Sequence, residues 1–302
     1  MKYHLTLVTN LAKLSLSSEI INKITDFLAG HNTHIIDIVT LSDNEAYDII
    51  FTINNPQYDT LYKNIKNFLT KYPLDCFLIA DHLYGIKKLL MFDMDSTLIV
   101  NECVDEIARS IGKYDQIANI TREAMLGNLI FEHSLKKRVK LLQGTTIDNL
   151  DHILKNQITL SPGAITMAKT LKNLGVKLAV ASGGFTYFTK AIKKQLAFDY
   201  QFANQLEIID DKLTGELIPP IYGSLDKQKT LQQLISSLKI KTNDAIAVGD
   251  GSNDIPMLES IESGFAYHAK PIVNKAIMHN IKHTDLTTIL FAQGIKKTTF
   301  VN

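Results

Sequence analysis

The sequence predicts an α/β protein in two parts: a mainly parallel sheet covered by helices, preceded by a small βαββαβ unit. Three observations carry that prediction. From Pro162 onward, short apolar runs alternate with helical periodicity, the pattern of a parallel sheet covered on both faces. Two apolar runs end directly in acidic loops, at Asp93 and at Asp250. Residues 1–82 hold strand-like alternation and two amphipathic helices.

The first strand is expected from Tyr3 to Val8. Ser17-Ser18-Glu19 then opens a helix with Ile20, Ile21, Ile24, Phe27 and Leu28 on one face. Strands follow at His34–Leu41 and Ala46–Ile53, joined by a Ser-Asp-Asn turn. A second helix covers about 58–69, Pro73 stops it, and Leu74–Ala80 reads as a fourth strand. The order resembles a ferredoxin-like or ACT-like regulatory domain at 1–82, on topology alone. An effector sensor and a packing or dimerisation module, hence a homodimer, are the competing readings. After Gly85, Lys87–Phe92 has the look of a buried parallel strand. Residues 101–160 are helical in period and read as a cap inserted after that first strand of a unit spanning 83–302. Further strands are expected at Val176–Ala181 and Asp244–Val248. A hairpin is expected at Gln201–Ile218 around Asp210-Asp211-Lys212.

Composition narrows the function classes. The chain has 302 residues, 45% hydrophobic and 21% charged, which fits a soluble globular protein of two domains. Lys plus Arg is 32 against 31 for Asp plus Glu, so no basic excess points to nucleic acid. Two cysteines, Cys76 and Cys103, make no disulfide framework and imply a reducing compartment. The apolar stretch after Lys2 is broken by His4, Thr6 and Thr9, unlike a secretory signal. No run approaches the roughly 20 apolar residues that span a bilayer. A cytoplasmic protein with a small-molecule substrate and no membrane partner is expected.

Four segments carry chemistry. Asp93-Met94-Asp95-Ser96-Thr97 follows the first apolar strand of the larger unit, at the end where open α/β sheets bind ligands. Gly249-Asp250-Gly251-Ser252-Asn253-Asp254 follows another such strand, with glycines that permit a tight turn. Read singly, the first is a polar loop with a capping serine and the second a surface turn. Together they place four carboxylates at the ends of buried strands. Two carboxylates about 4 Å apart repel by roughly 4 kcal/mol at an effective dielectric of 20, so their convergence requires a cation. The donors are hard oxygens without Cys or His at zinc spacing, which favours Mg²⁺. Ser182-Gly183-Gly184 at a strand-to-helix turn suits a phosphate cradle, or an ordinary helix cap. Lys227, at a helix start, can neutralise a phosphate or can be a surface lysine.

In this order, Asp-x-Asp-Ser-Thr, Ser-Gly-Gly-Phe, Lys227 and Gly-Asp-Gly-x-Asn-Asp resemble the haloacid-dehalogenase superfamily over about residues 87–295, closest to its phosphoserine phosphatases. The resemblance implies a Rossmann-like core. It makes Asp93 the nucleophile that forms an aspartyl-phosphate, and Asp95 the acid and then the base. Ser182, Gly183 and Asn253 become phosphate- or water-contacting positions. Lys227 is preferred to Lys229 on its 23-residue separation from Asp250. The implied metal set is Asp93, the Asp95 carbonyl and Asp250, with Asp254 in support. In the insertion, Glu102 matches the residue that meets a substrate ammonium, and Met125 and Phe131 match residues that shield the site. Arg138 would grip a carboxylate. Met125 and Phe131 read equally well as helix packing, and Arg138 as one of a run of surface charges. The competing functions are a phosphatase for another small phosphomonoester and a non-catalytic ligand-binding regulator. His268, His279 and His283 fit no zinc spacing, Tyr267-His268-Ala269-Lys270-Pro271 reads as scaffold, and Cys103 receives no role.

Overall fold

The computed structural model describes residues 1–54, 58–125 and 130–301, and of Met125 the backbone alone. The first unit consists of β1 (Lys2–Thr9), α1 (Ser18–Ala29), β2 (Thr33–Ser42), β3 (Ala46–Ile53), α2 (Tyr58–Leu69) and β4 (Leu74–Ala80). Its strands form an antiparallel sheet in the order β2-β3-β1-β4. This is the expected βαββαβ arrangement. The Ser17 hydroxyl accepts the Ile20 N–H and starts α1, whose buried side is Ile21, Ile24 and Leu28. Asn44 takes the left-handed conformation (φ 59°) that the turn before β3 needs.

The larger sheet starts with β5 (Leu89–Phe92). The helical insertion follows as α3 (Cys103–Ser110), α4 (Tyr114–Met125), α5 (Phe131–Leu141) and α6 (Ile147–Asn156). Next come α7 (Ala164–Asn173), β6 (Lys177–Phe185), α8 (Thr186–Gln195), β7 (Tyr200–Ile209), β8 (Lys212–Ile218) and α9 (Ser224–Ser237). The chain then forms β9 (Ala245–Gly249), α10 (Ile255–Glu259), β10 (Gly264–Tyr267), α11 (Pro271–Ala276), β11 (His279–Ile281) and α12 (Thr288–Phe291). The strand order is β11-β10-β9-β5-β6-β7-β8. All pairs are parallel except the β7–β8 hairpin, whose turn residues Asp210 and Asp211 both have positive φ, 50° and 59°. That matches the turn geometry that suits twisted hairpin strands.

Period-two alternation explains how one sheet serves two cores. Leu90, Phe92, Leu178, Val180, Ile246 and Val248 face one side with α7, α8 and the insertion. Leu89, Met91, Ala179, Ala181, Ala245 and Ala247 face the other, where the alanines let α9 and α10 approach closely. The first sheet is also two-sided. One face is covered by α1 and α2, while Val8, Phe77 and Ile79 join the core of the larger unit. At the junction, Phe77 packs against Phe265 and His279 at ring separations of 5.3 and 6.1 Å. Asp75 accepts the backbone N–H groups of Lys282, His283 and Thr284 there. The insertion is tied to the hairpin by backbone bonds from Gly144 N–H to Leu213, Leu213 N–H to Thr145 and Ile147 N–H to Asp211.

Two expectations need correction, and two strands went unpredicted. Lys87 is not in the strand: its ammonium turns to the carbonyls of Leu83 and Asn243, and β5 begins at Leu89. Ser182-Gly183-Gly184-Phe185 is the irregular end of β6, with a register shift between Ala181 and Phe185, and not a separate turn. The strands β10 and β11, which the sequence did not mark, are only four and three residues long, and β11, at the sheet edge, contains His279 and Asn280. Among the described residues no helix is long and apolar enough to cross a membrane.

Candidate active site

The ends of β5, β6 and β9 converge on one acidic cleft. Asp93, the first residue after β5, is 5% exposed and caps its own turn by accepting the Met94 N–H at 2.7 Å. Asp250 and Asp254, after β9, are 5% and 0% exposed. Oxygens of Asp93, Asp250 and Asp254 all lie within 4.8 Å of one another. Lys227, in the first turn of α9 and fully buried, bridges Asp93 at 2.8 Å and Asp254 at 2.6 Å. The second lysine of that run, Lys229, is exposed and pairs with Asp226.

The three carboxylates are not equivalent. Both Asp254 oxygens are taken, one by Lys227 and the other by the N–H groups of Asp250 and Gly251. Asp250 accepts the Thr97 hydroxyl on one oxygen, and the other lies 4.0 Å from the Lys270 ammonium. Asp93 and Asp250 thus each keep an oxygen without a hydrogen-bond donor among the described residues. Burial, with Asp254 next, pushes Asp93 well above the usual carboxylate range, against the pull of Lys227. The same two causes push Asp250 up to about 6. Lys227 is held fully charged, because two carboxylates outweigh the cost of burying it. One lysine cannot neutralise three buried carboxylates. The set therefore suits a hard divalent cation bound by oxygen, with Asp93 and Asp250 as the available side-chain ligands.

Asp95 sits apart from that cluster. Its carboxylate accepts the Cys103 N–H at 2.8 Å and the Ser182 hydroxyl at 3.1 Å. Ser182 in turn accepts the Gly184 N–H at 2.8 Å, and a Cβ on Gly184 would lie 2.9 Å from Asp95. Glycine is required there by close approach. Gly183 and Gly223 lie under the Phe131 ring, since a Cβ on either would meet it at 3.2 or 3.3 Å. Phe131, at the start of α5, thus rests directly on the β6 end. The Asn253 side-chain oxygen folds back onto Gly251, where a Cβ would meet it at 2.3 Å.

Glu102 and Arg138 face the cleft from the insertion. The Ser96 hydroxyl donates to Glu102 at 2.8 Å, and Ser96 itself is left-handed, with φ 54°. Burial, with Asp95 next, pushes Glu102 up to about 7. Burial lowers Arg138, and the nearby charges of Glu102, Asp105 and Asp95 oppose that. The Met125 side chain lies outside the described residues.

Sequence reasoning missed four contributors. Thr97 holds Asp250, and its place inside the Asp93 motif was an available signal. Cys103 contributes its backbone N–H to Asp95. Lys270, read as scaffold, brings its charge to Asp250. Buried Asn204 ties the Gly183 carbonyl to Tyr222, and nothing in the sequence marked it.

A family model for haloacid dehalogenase-like hydrolases matches residues 87–261, more than half of the chain. The chain belongs to this hydrolase family. A phosphoserine phosphatase of Methanocaldococcus jannaschii is 43% identical over 204 residues, 68% of this chain and 96% of that one. Likeness to solved structures extends over both sheets. A crystal structure of a hydrolase of this family from Salmonella enterica serovar Typhi has TM-score 0.84 and 33% identity, covering 96% of this chain and 98% of that one. An unliganded probable phosphoserine phosphatase from Vibrio cholerae has TM-score 0.79 and 29% identity, covering 98% and 88%.

Proposed function

We propose that this hydrolase is a phosphoserine phosphatase. It hydrolyses O-phospho-L-serine to serine and phosphate through an aspartyl-phosphate, as the last step of serine biosynthesis. The observation that carries the substrate is the placement of two opposite charges, Glu102 and Arg138, under the insertion beside Asp95. A phosphorylated amino acid presents an ammonium and a carboxylate to match them, next to a phosphoryl group over Asp93. Related phosphoserine phosphatases support the same reading.

The chemistry follows from the residues. The Asp93 carboxylate attacks phosphorus while the bond to the serine oxygen breaks, and Asp95 gives that oxygen its proton. Water then gives a proton to Asp95 and its oxygen to phosphorus, which frees phosphate and restores Asp93. Lys227 aims the Asp93 carboxylate and carries the positive charge that a transferring phosphoryl group needs. Ser182 and the Gly183 N–H cradle the phosphate, and Asn253 contacts the phosphate or the attacking water. Phe131 and Met125 exclude water once substrate is bound. Mg²⁺ would be held by Asp93, Asp250 and the Asp95 carbonyl, with Asp254 in support, and would supply further positive charge for phosphoryl transfer.

Residues 1–82 are read as an ACT-like unit and 83–302 as the catalytic unit, with its cap at about 101–160. The β2 edge leaves Ile36 and Ile38 exposed, which suits a homodimer through the first unit; sedimentation of the full chain tests it. Buried free thiols at Cys76 and Cys103 fit a cytoplasmic protein. The deciding experiment is phosphate release from a panel of phosphomonoesters with Mg²⁺. Phosphoserine should exceed phosphosugars by at least a hundredfold in kcat/KM; equal rates across the panel would point to another small phosphomonoester.

A further inference from the structure

His4 lies where the first sheet meets the chain leading into the larger unit. It is 5% exposed and shares a face of β1 with Thr6 and Val8. Its Nδ1 lies 2.7 Å from the carboxylate of Asp48, on β3, and its Nε2 lies 3.0 Å from that of Asp81, in the turn after β4. The ring of Tyr84, in the connection to β5, stacks on the imidazole with centroids 3.7 Å apart and planes 9° apart. Tyr84 also packs against the core of the larger unit, and a Cβ on Gly294 would meet its hydroxyl at 2.8 Å. One imidazole thus touches the first sheet, the connection and, through Tyr84, the larger unit.

The donor count fixes its charge. An ionised carboxylate only accepts, and a neutral imidazole donates from one nitrogen alone. With a carboxylate on each ring nitrogen, the imidazolium alone satisfies both. A neutral ring would turn a lone pair on one of them. Asp48, which also accepts the Thr6 hydroxyl at 3.3 Å, is 1% exposed, and a carboxylate at that depth needs a cation.

The surrounding groups agree. Lys2, on the same strand, holds the same Asp81 oxygen at 2.8 Å as an exposed pair, and His82, in the same turn, is exposed. Opposite His4, β3 and β4 bring apolar Ile50 and Ile79. Burial, with Asp48 next, raises Tyr84 and keeps it neutral. Burial draws His4 down, but the hydrogen bonds and charges of Asp48 and Asp81 outweigh it, so the net shift is upward.

We propose that His4 is a charged clasp between the two units, closed as the imidazolium and opened on its Asp81 side when it loses its proton. Asp48 is held inside the sheet and keeps its hydrogen bond to the ring. Asp81 is half exposed and turns to water, with Lys2 left to hold it through an exposed pair of small worth. A raised imidazole stabilises fully below its unfolded value, near 6.5, and that contribution is lost as pH rises through its folded midpoint. The clasp stands apart from the chemistry over Asp93, and its test uses no substrate.

The test is ring nitrogen–proton NMR of the full chain from about pH 5.5 to about pH 9.5, a range that brackets the ordinary imidazole value. The His4 signals are those missing in His4→Gln and displaced in Asp81→Asn. Both ring nitrogens should carry protons at pH 6.5, and the midpoint should lie above 6.5. Asp81→Asn, at an exposed position, keeps an oxygen for Nε2 and drops the charge, so the midpoint should fall. The Tyr84 amide bonds the Asp81 carbonyl at 3.2 Å. Its hydrogen exchange, corrected for the intrinsic rate, should speed up at least tenfold as pH passes the His4 midpoint, a step absent in His4→Gln. The proposal is overturned if one ring nitrogen is bare at pH 6.5, if the midpoint lies at or below 6.5, or if it is unmoved in Asp81→Asn. It is also overturned if Tyr84 exchange shows no step at that midpoint. Should His4→Gln fail to fold, the parent and Asp81→Asn decide the outcome between them.

Discussion

Asp75 at the junction of the two sheets and Asp93 in the catalytic cleft are buried to nearly the same depth, 3% and 5% exposed. Their surroundings differ in kind. Asp75 accepts three backbone N–H groups and the Thr284 hydroxyl, so donors surround both of its oxygens. Asp93 has one backbone donor and one lysine, and it shares that lysine with a second carboxylate. A saturated carboxylate holds two pieces of structure together. An undersaturated one, crowded by like charges, keeps capacity for a cation and a reacting phosphorus. Depth of burial does not separate structural from chemical acids here; the donor count does.

The sharpest way to break that contrast is to remove charge from each. Asp93→Asn should lower kcat for phosphoserine by at least a thousandfold, with thermal stability equal to or above that of the parent, because one repelling charge is gone. Substantial residual turnover would remove Asp93 from the chemistry. Next in size, Arg138→Ala should raise KM for phosphoserine ten- to a hundredfold and leave hydrolysis of a phosphomonoester without a carboxylate nearly unchanged. Steady-state kinetics on both substrates check it.

Asp75→Ala should do the opposite of Asp93→Asn. It orphans several buried donors, so stability should fall by about 3 kcal/mol in denaturant unfolding, with kcat per folded molecule retained. A loss under about 0.5 kcal/mol would mean that the junction is not held by this carboxylate. A last expectation concerns pH. His279 is stacked on Phe265 at 5.1 Å, and burial, with Lys66 next, lowers it to about 3. A depressed imidazole contributes fully above its unfolded value, near 6.5. That contribution is lost as pH falls toward 3, at about 1.4 kcal/mol per pH unit. His279→Phe should flatten this slope in stability measured between pH 7 and pH 4.

Much of this was readable in the chain because apolar strands and polar loops alternate so plainly. β5 and β9 end in acidic motifs, and both motifs landed in one cleft. The division of labour among the acids was not readable. Spacing alone cannot say that Asp254 spends both oxygens on Lys227 and backbone donors, or that the Asp95 carboxylate turns to Ser182 and Cys103. The two Asp95 contacts cross 8 and 87 residues of sequence and exist only once β6 and the insertion are packed. The short strands β10 and β11 were hidden for a related reason. His279 and Asn280 look like loop residues until aromatic neighbours bury them.

The backbone bonds joining the α5–α6 connection to the β7–β8 hairpin carry a consequence for traffic through the cleft. They fasten one end of the helical insertion to the sheet, so any opening of that insertion over the cleft would hinge there. The free edge is the one bearing Phe131, over Gly183 and Gly223. Loosening a hairpin remote from the phosphorus, by breaking those backbone bonds, should therefore be felt at the Phe131 side of the cleft, with product-release kinetics as the readout.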